Sequence, residues 1–263
     1  MNRINAAFAH LRRQKEKALI AYVTVGFPNV GMLPELVKAC SDAGVDLLEL
    51  GVPFSDPLAD GPTIQAASER ALANGVSPAV VLQQVERLRS RKVTLPLALM
   101  TYYNPVLRYG LKKFCRACRS SGVDGVIIPD LPPEEAGEWV AAARPLGLNT
   151  IFLAAPTSPR ARLARLVRVS TGFLYYVSLT GVTGARKSLP AEVSTHVRVI
   201  KGMTDLPVCV GFGISRPAQV REVVRVADGV IVGSALLDLI GRSGRGAPQV
   251  AFHFLRNLKG ACR

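Results

Sequence analysis

Eight short apolar runs alternate along the chain with stretches whose apolar residues fall at helical spacing. The runs are "ALIAYVTVG" (18–26), "VDLLELGVP" (45–53), "LPLALMTYY" (95–103), "DGVIIPD" (124–130), "NTIFLAAP" (149–156), "GFLYYVSL" (172–179), "LPVCVGFG" (206–213) and "DGVIVGSA" (228–235). They are apolar nearly throughout, as strands are when a parallel sheet buries both their faces. Between them lie segments such as "MLPELVKACSDAG", "AVVLQQVERLRSR" and "EEAGEWVAAARPLG". Several end in Gly just past the last turn, a helix stop signal. Eight β-α units in 263 residues predict an α/β closed barrel, the TIM (β/α)8 architecture. An open doubly wound sheet is the alternative. It usually carries a glycine-rich turn after its first strand, and "TVGFPNVG" here is not that fingerprint. Ile4, Ala7, Phe8 and Leu11 recur at helical spacing and predict an extra N-terminal helix packed on the barrel, in preference to an Arg-rich transit peptide. With no linker or low-complexity segment, residues 1–263 read as a single domain.

Composition changes this picture little. Hydrophobic residues make up 49% and charged residues 20%, an ordinary globular balance. No apolar run reaches the ~18 residues that cross a bilayer. Five cysteines, at 40, 115, 118, 209 and 262, form no disulfide framework and suggest a reducing compartment, so a cytoplasmic location is expected. Cys115 and Cys118 make a C-x-x-C inside a helical pattern, which reads as one helix face. The net charge of +14 admits a nucleic-acid partner. However, the basic residues are dispersed and lack the interleaved aromatics that stack bases. A positive field would also draw in an anionic substrate.

In a barrel the chemistry sits at the C-terminal ends of the strands. Three glycine-bearing loops are expected there: "TGVTGARKS" (180–188), "GFGIS" (211–215) and "VGSALL" (232–237). The last leads into a short helical stretch. Barrels often hold a phosphate with the loops after strands seven and eight and a short helix N-terminus, where free amides and the helix dipole favour an anion. A phosphate ester substrate and a short phosphate-binding helix after strand eight are therefore predicted.

Glu49 interrupts the second run. Alternation puts Leu48 and Leu50 on one side of the strand and Leu47, Glu49 and Gly51 on the other. An inward Glu49 in partly apolar surroundings would hold its proton more tightly and could serve as both general acid and general base. A Glu49 paired with a buried Arg or Lys, or one that simply faces a helix, is the competing reading, and the pairing version is weakened because no strand run contains Lys or Arg. Asp56 and Asp60 follow on a loop stiffened by Pro53, Pro57 and Pro62. No strand offers a Schiff-base lysine. His10, His196 and His253 are scattered, and there is no nucleophile elbow. What remains is acid-base chemistry on a phosphorylated molecule without a metal.

The string "LELGVPFSDPLADGPTIQAA", with "YVTVGFP", "LMTYYNP", "IIPDLPPEE", "YYVSLTGVTGAR" and "VGFGIS", closely resembles the tryptophan synthase alpha chain family over essentially the whole chain. The resemblance implies a lyase that cleaves indole-3-glycerol phosphate to indole and glyceraldehyde 3-phosphate. It implies Glu49 as the principal acid-base residue and Asp60 as the acceptor of the indole N–H. Tyr22, Ile64, Met100, Tyr102, Tyr175, Thr183 and Phe212 would line the substrate pocket, and Gly184, Gly213, Gly233 and Ser234 would hold the phosphate. Tyr22 stands where some relatives carry Phe. A beta chain holding pyridoxal phosphate would be the partner in an α2β2 heterotetramer, touching Pro53, Asp56 and Pro57, with no cofactor in this chain.

Three rivals stay open at this stage: a free-standing lyase that releases indole, a phosphosugar isomerase on the same barrel, and a nucleic-acid-binding barrel. The first keeps the chemistry and drops the partner. The second gives Asp60 no task, and the third rests on net charge alone.

Overall fold

The computed structural model describes residues 2–177, 191–211 and 213–262. Its strands are β1 (Ala18–Thr24), β2 (Leu47–Gly51), β3 (Leu97–Met100), β4 (Gly125–Ile127), β5 (Asn149–Ile151), β6 (Leu153–Ala154), β7 (Leu174–Val177), β8 (Val208–Gly211) and β9 (Gly229–Val232). All pair in parallel, in the order β5-β4-β3-β2-β1-β9-β8-β7-β6. The two ends of that order, β5 and β6, are separated only by Phe152, whose carbonyl accepts the Tyr175 amide at 3.0 Å. The sheet thus curls until its edges are consecutive pieces of one strand. That strand reads as a single run in the sequence. It divides because its first part pairs with β4 and its second with β7, an offset that strand tilt imposes in a closed barrel. The predicted barrel is present, with every strand inside its sequence-predicted run.

Alternation sorts the side chains as expected. Leu48 and Leu50 join the outer core between strands and helices. Leu47, Ala98, Ile127, Ile151, Phe173, Cys209 and Ile231 fill the barrel interior. The helix Arg3–Gln14 plugs the bottom of that interior with Ile4, Phe8 and Leu11. Each of these three stabilises the fold by roughly 1.5–3 kcal/mol as an upper bound. Cys115 and Cys118 are buried on one face of the helix Leu111–Ser121, as the spacing indicated.

A repeated device closes the N-terminal face of the barrel. Asp46, Asp124 and Asp228 each precede a strand, and each is paired twice with one residue of the neighbouring strand. Asp46 donates its amide to the Leu19 carbonyl (2.9 Å), and its carboxylate accepts the Leu19 amide (2.7 Å). Asp124 does the same with Leu97, and Asp228 with Val208. Each carboxylate also meets a cation: Lys259 at 2.6 Å for Asp46, Arg89 at 2.7 Å for Asp124, and Lys201 at 2.6 Å for Asp228.

The same face collects much of the positive charge. Helices that run back along the barrel end there, and their last turns carry Arg87 and Arg89, Arg119, Arg168, Arg198 and Lys201, Arg221, and Arg256 and Lys259. Cations in a last turn offset the negative end of the helix dipole, by typically 0.3–1 kcal/mol each. These cations lie on the face opposite the strands' C-terminal ends, where they stabilise helix ends.

Candidate active site

At the C-terminal mouth of the barrel, Glu49 points inward from β2. It is fully buried, and among the described residues neither carboxyl oxygen has a hydrogen-bond partner. Among the described residues no cation pairs with Glu49, so the pairing version of the competing sequence reading finds no support there. A buried carboxylate with no donor and no counter-charge is costly, so the group keeps its proton. Burial alone pushes its pKa up to about 8.

Two tyrosines flank it. Tyr22 of β1 lies beside Glu49 in the strand register. Its ring crosses toward β2 so far that a Cβ at position 51 would overlap its hydroxyl, which is why β2 ends in glycine. Tyr175 of β7 stands over Gly211 of β8 in the same way, where an added Cβ would lie 2.7 Å from the phenol oxygen. Both phenols are pushed up by burial first. The nearby carboxyl groups push them further, Glu49 foremost for Tyr175 and Asp60 foremost for Tyr22.

Asp60 approaches from above, on the loop between β2 and the helix Pro62–Ala73. Local bonds build that loop: Leu58 N–H to the Asp56 carbonyl (2.9 Å), Asp60 N–H to the Pro57 carbonyl (3.0 Å), and Gln65 Nε2 to the Asp60 carbonyl (2.8 Å). Tyr102, just past β3, fastens the loop to the barrel because its hydroxyl accepts the Ala59 amide at 2.9 Å. Burial raises the Asp60 pKa to about 6, and its hydrogen bond with Tyr102 partly offsets the rise. Around these polar groups, Tyr22 packs with Ala67 and Leu237, and Ile64 and Met100 lie against them.

The helix Ser234–Ser243 starts at the same mouth. Gly233 is its N-cap, and no side chain caps it. Its first amides therefore point out unsatisfied, a ready position for an anion. Gly233 lies against Tyr22. Gly213 is exposed with φ +42°, and nothing crowds the position of its missing Cβ. Thr183, Gly184 and Phe212 lie outside the described residues, as does the loop 180–188.

The structure thus brings Glu49, Asp60, Tyr22, Ile64, Met100, Tyr102 and Tyr175 to one end of the barrel, with Gly233 and Ser234 beside them. Pro53 is buried, Pro57 is half-buried and Asp56 is exposed at the loop's outer side. Among the described residues, no three His, Cys, Asp or Glu side chains gather as metal ligands do. Sequence reasoning missed two supporting contacts. Thr24 Oγ1 lies 3.4 Å from the Tyr22 hydroxyl, and the Asp130 carboxylate accepts the Tyr103 amide at 2.9 Å, anchoring the segment that carries Tyr102. Thr24 is two residues from Tyr22 on the same strand face, so alternation could have found it. Asp130 joins separate strands and leaves no local signal.

A family pattern described as "Tryptophan synthase alpha chain" matches residues 8–261. The chain belongs to the tryptophan synthase alpha chain family. It is 53% identical over 242 residues to the tryptophan synthase alpha chain of Chloroflexus aggregans, covering 92% of this chain and 91% of that one. The alpha chain of Roseiflexus castenholzii is 50% identical over 261 residues, covering 99% and 100%. Among solved structures, the tryptophan synthase subunit alpha of Legionella pneumophila superposes with a TM-score of 0.93 at 36% identity, covering 100% of this chain and 98% of that one. Tryptophan synthase from M. tuberculosis in its aminoacrylate-bound form gives 0.89 at 37% identity, with full coverage of both chains. The alpha chains are lyases that cleave indole-3-glycerol phosphate, and the name implies a beta-chain partner.

Proposed function

We propose that this chain performs the alpha reaction through Glu49 and Asp60. The observation that carries the reading is the unpartnered Glu49 carboxyl, buried and holding its proton into the neutral range. A group with a pKa near the working pH is best suited to give and take protons within one cycle. Glu49 delivers its proton to C3 of the indole ring, and Asp60 accepts the ring N–H, so that the resulting cation is stabilised. Glu49, now ionised, takes the proton from the C3′ hydroxyl. The C3–C3′ bond then breaks, its electron pair returns to the ring, and the C3′ oxygen becomes the aldehyde of glyceraldehyde 3-phosphate. Asp60, with its pKa about 6, is ionised when Glu49 is protonated. This split lets one carboxyl act as the acid while the other carries negative charge.

Tyr22, Ile64, Met100, Tyr102, Tyr175, Thr183 and Phe212 are proposed to line the indole pocket. Gly184, Gly213, Gly233 and Ser234 are proposed to hold the phosphate. The open amides at the start of the helix Ser234–Ser243 support this. We assign the beta-chain contact to the loop bearing Pro53, Asp56 and Pro57. There Leu58 is 94% exposed and an apolar groove runs along Phe54, Val76, Pro105 and Tyr109. The complex would be an α2β2 heterotetramer in the cytoplasm, with pyridoxal phosphate in the beta chain, no cofactor in this one, and residues 1–263 as one domain.

The test is indole release from indole-3-glycerol phosphate by the purified chain and by Glu49→Gln, each with and without a tryptophan synthase beta chain. Release that rises with the partner and is lost in the variant supports the reading. Fast release indifferent to the partner would make this a free-standing lyase, and a fully active Glu49→Gln would remove the catalytic assignment.

A further inference from the structure

Tyr22 has more around it than a pocket wall needs. Its side chain is nearly fully buried, and Glu49 is its neighbour in the strand register. Its ring carries the hydroxyl over Gly51, one inward position beyond Glu49 on β2 and so toward the Asp60 loop. The electrostatic influence of both carboxyl groups reaches the phenol, with Asp60 the stronger. Thr24 donates its hydroxyl hydrogen to the phenol oxygen at 3.4 Å, which occupies an acceptor position, and among the described residues no acceptor takes the phenol's own hydrogen. In this arrangement neither Glu49 oxygen has a partner among those residues.

We propose that Tyr22 is a positioning residue for the lyase reaction: its hydroxyl, oriented by Thr24, donates to Glu49 when Glu49 becomes the carboxylate and fixes that carboxylate for the C3′ proton. The proposal rests on the assignment of Glu49 above. The titratable groups that feel the Glu49 charge are Tyr22, Tyr175 and Cys209, and among the described residues no cation acts on Glu49, Tyr22 or Tyr175. Hydrogen bonding is therefore the stabilisation available to the charged form, and a donor on the adjoining strand needs only a local side-chain shift to provide it. Thr24 gives Tyr22 a directed donor where a lone buried phenol would swing toward Asp60.

The experiment compares the pH dependence of indole release from indole-3-glycerol phosphate for the parent, Tyr22→Phe, Thr24→Val and Glu49→Gln, each with saturating beta chain. Tyr22→Phe keeps the ring and its packing. It is expected to lower kcat by about tenfold with KM changed less than about twofold. It should also move the limb that reports Glu49 to higher pH by about one unit, since the ionised form loses its donor. Thr24→Val is expected to change both in the same direction and by less. A Tyr22→Phe profile that superimposes on the parent, or a rise confined to KM, would overturn the proposal while leaving Glu49 in place. Substantial turnover by Glu49→Gln would overturn the catalytic assignment and the proposal with it.

Discussion

Replacing Glu49 by Gln should remove turnover and also stabilise the protein, by an amount that depends on pH. The side chain is fully buried and unpartnered, and its pKa stands near 8 against an ordinary 4.5. Because the folded-state pKa is raised, the folded chain holds a proton that the unfolded chain has released between pH 4.5 and 8. Stability contributed by this group is full below 4.5 and is lost as pH rises to 8, at about 1.4 kcal/mol per pH unit. The accumulated loss is about 3 kcal/mol at pH 7 and about 5 kcal/mol above pH 8. Glutamine matches the shape of the neutral acid and does not titrate, so every other ionisation cancels in the comparison. The variant should equal the parent near pH 4.5 and exceed it increasingly up to pH 8. Denaturant midpoints of the two proteins at pH 5, 6, 7 and 8 measure the difference, provided the slopes agree. In the same samples, lyase turnover should fall about a hundredfold or more, the usual weight of a proton-transfer group. A stability difference that stays flat with pH, or a variant weaker than the parent at pH 8, would refute the claim that burial tunes this carboxyl.

Other changes test separate parts of the account. Asp60 must be ionised and Glu49 must start protonated, so log kcat/KM should fall with unit slope below pH 6 and again above pH 8. Tyr102→Phe, which removes the bond that lowers the Asp60 pKa, should move the lower break upward in a pH–rate profile. Gly51→Ala puts a methyl group onto the Tyr22 hydroxyl. It should cost about 1–3 kcal/mol by thermal or denaturant melting and depress kcat/KM through the displaced ring. Asp124→Ala removes the counter-charge of Arg89, which is 12% exposed and keeps its bonds to the Gly122, Val93 and Leu95 carbonyls, and leaves the Leu97 amide without the carboxylate. A loss of about 3–5 kcal/mol is expected in denaturant melts, with normal kcat in the protein that remains folded. Leu58→Asp, at a position 94% exposed, should leave stability within about 0.5 kcal/mol and weaken beta-chain binding in a titration of partner-stimulated indole release.

The barrel is legible in the sequence because parallel strands buried on both faces must be apolar, and a charge inside such a run stands out. Glu49 and its inward direction follow from period-two alternation, which a strand cannot evade. The same logic placed Leu48 and Leu50 outside. Contacts that depend on where a loop lands were not legible: Tyr102 gripping the Ala59 amide spans 43 residues, and nothing local in either segment indicates it. The division at Phe152 is also invisible, since it reflects a change of neighbour and not of residue type. The segment 95–103 read as one apolar run, yet β3 ends at Met100 and a helix starts at Tyr103, where the Asp130 carboxylate takes the first amide. The basic residues were visible individually, but their shared end of the barrel emerges only when each helix is laid antiparallel to its strand.

The central claim is that burial without a partner makes Glu49 a proton carrier at neutral pH. A carbon-13 NMR titration of the side-chain carboxyl carbons, with Glu49→Gln used to identify the Glu49 resonance, tests it most directly. A midpoint near 8 is the predicted result, and a midpoint near the ordinary 4.5 would contradict the account.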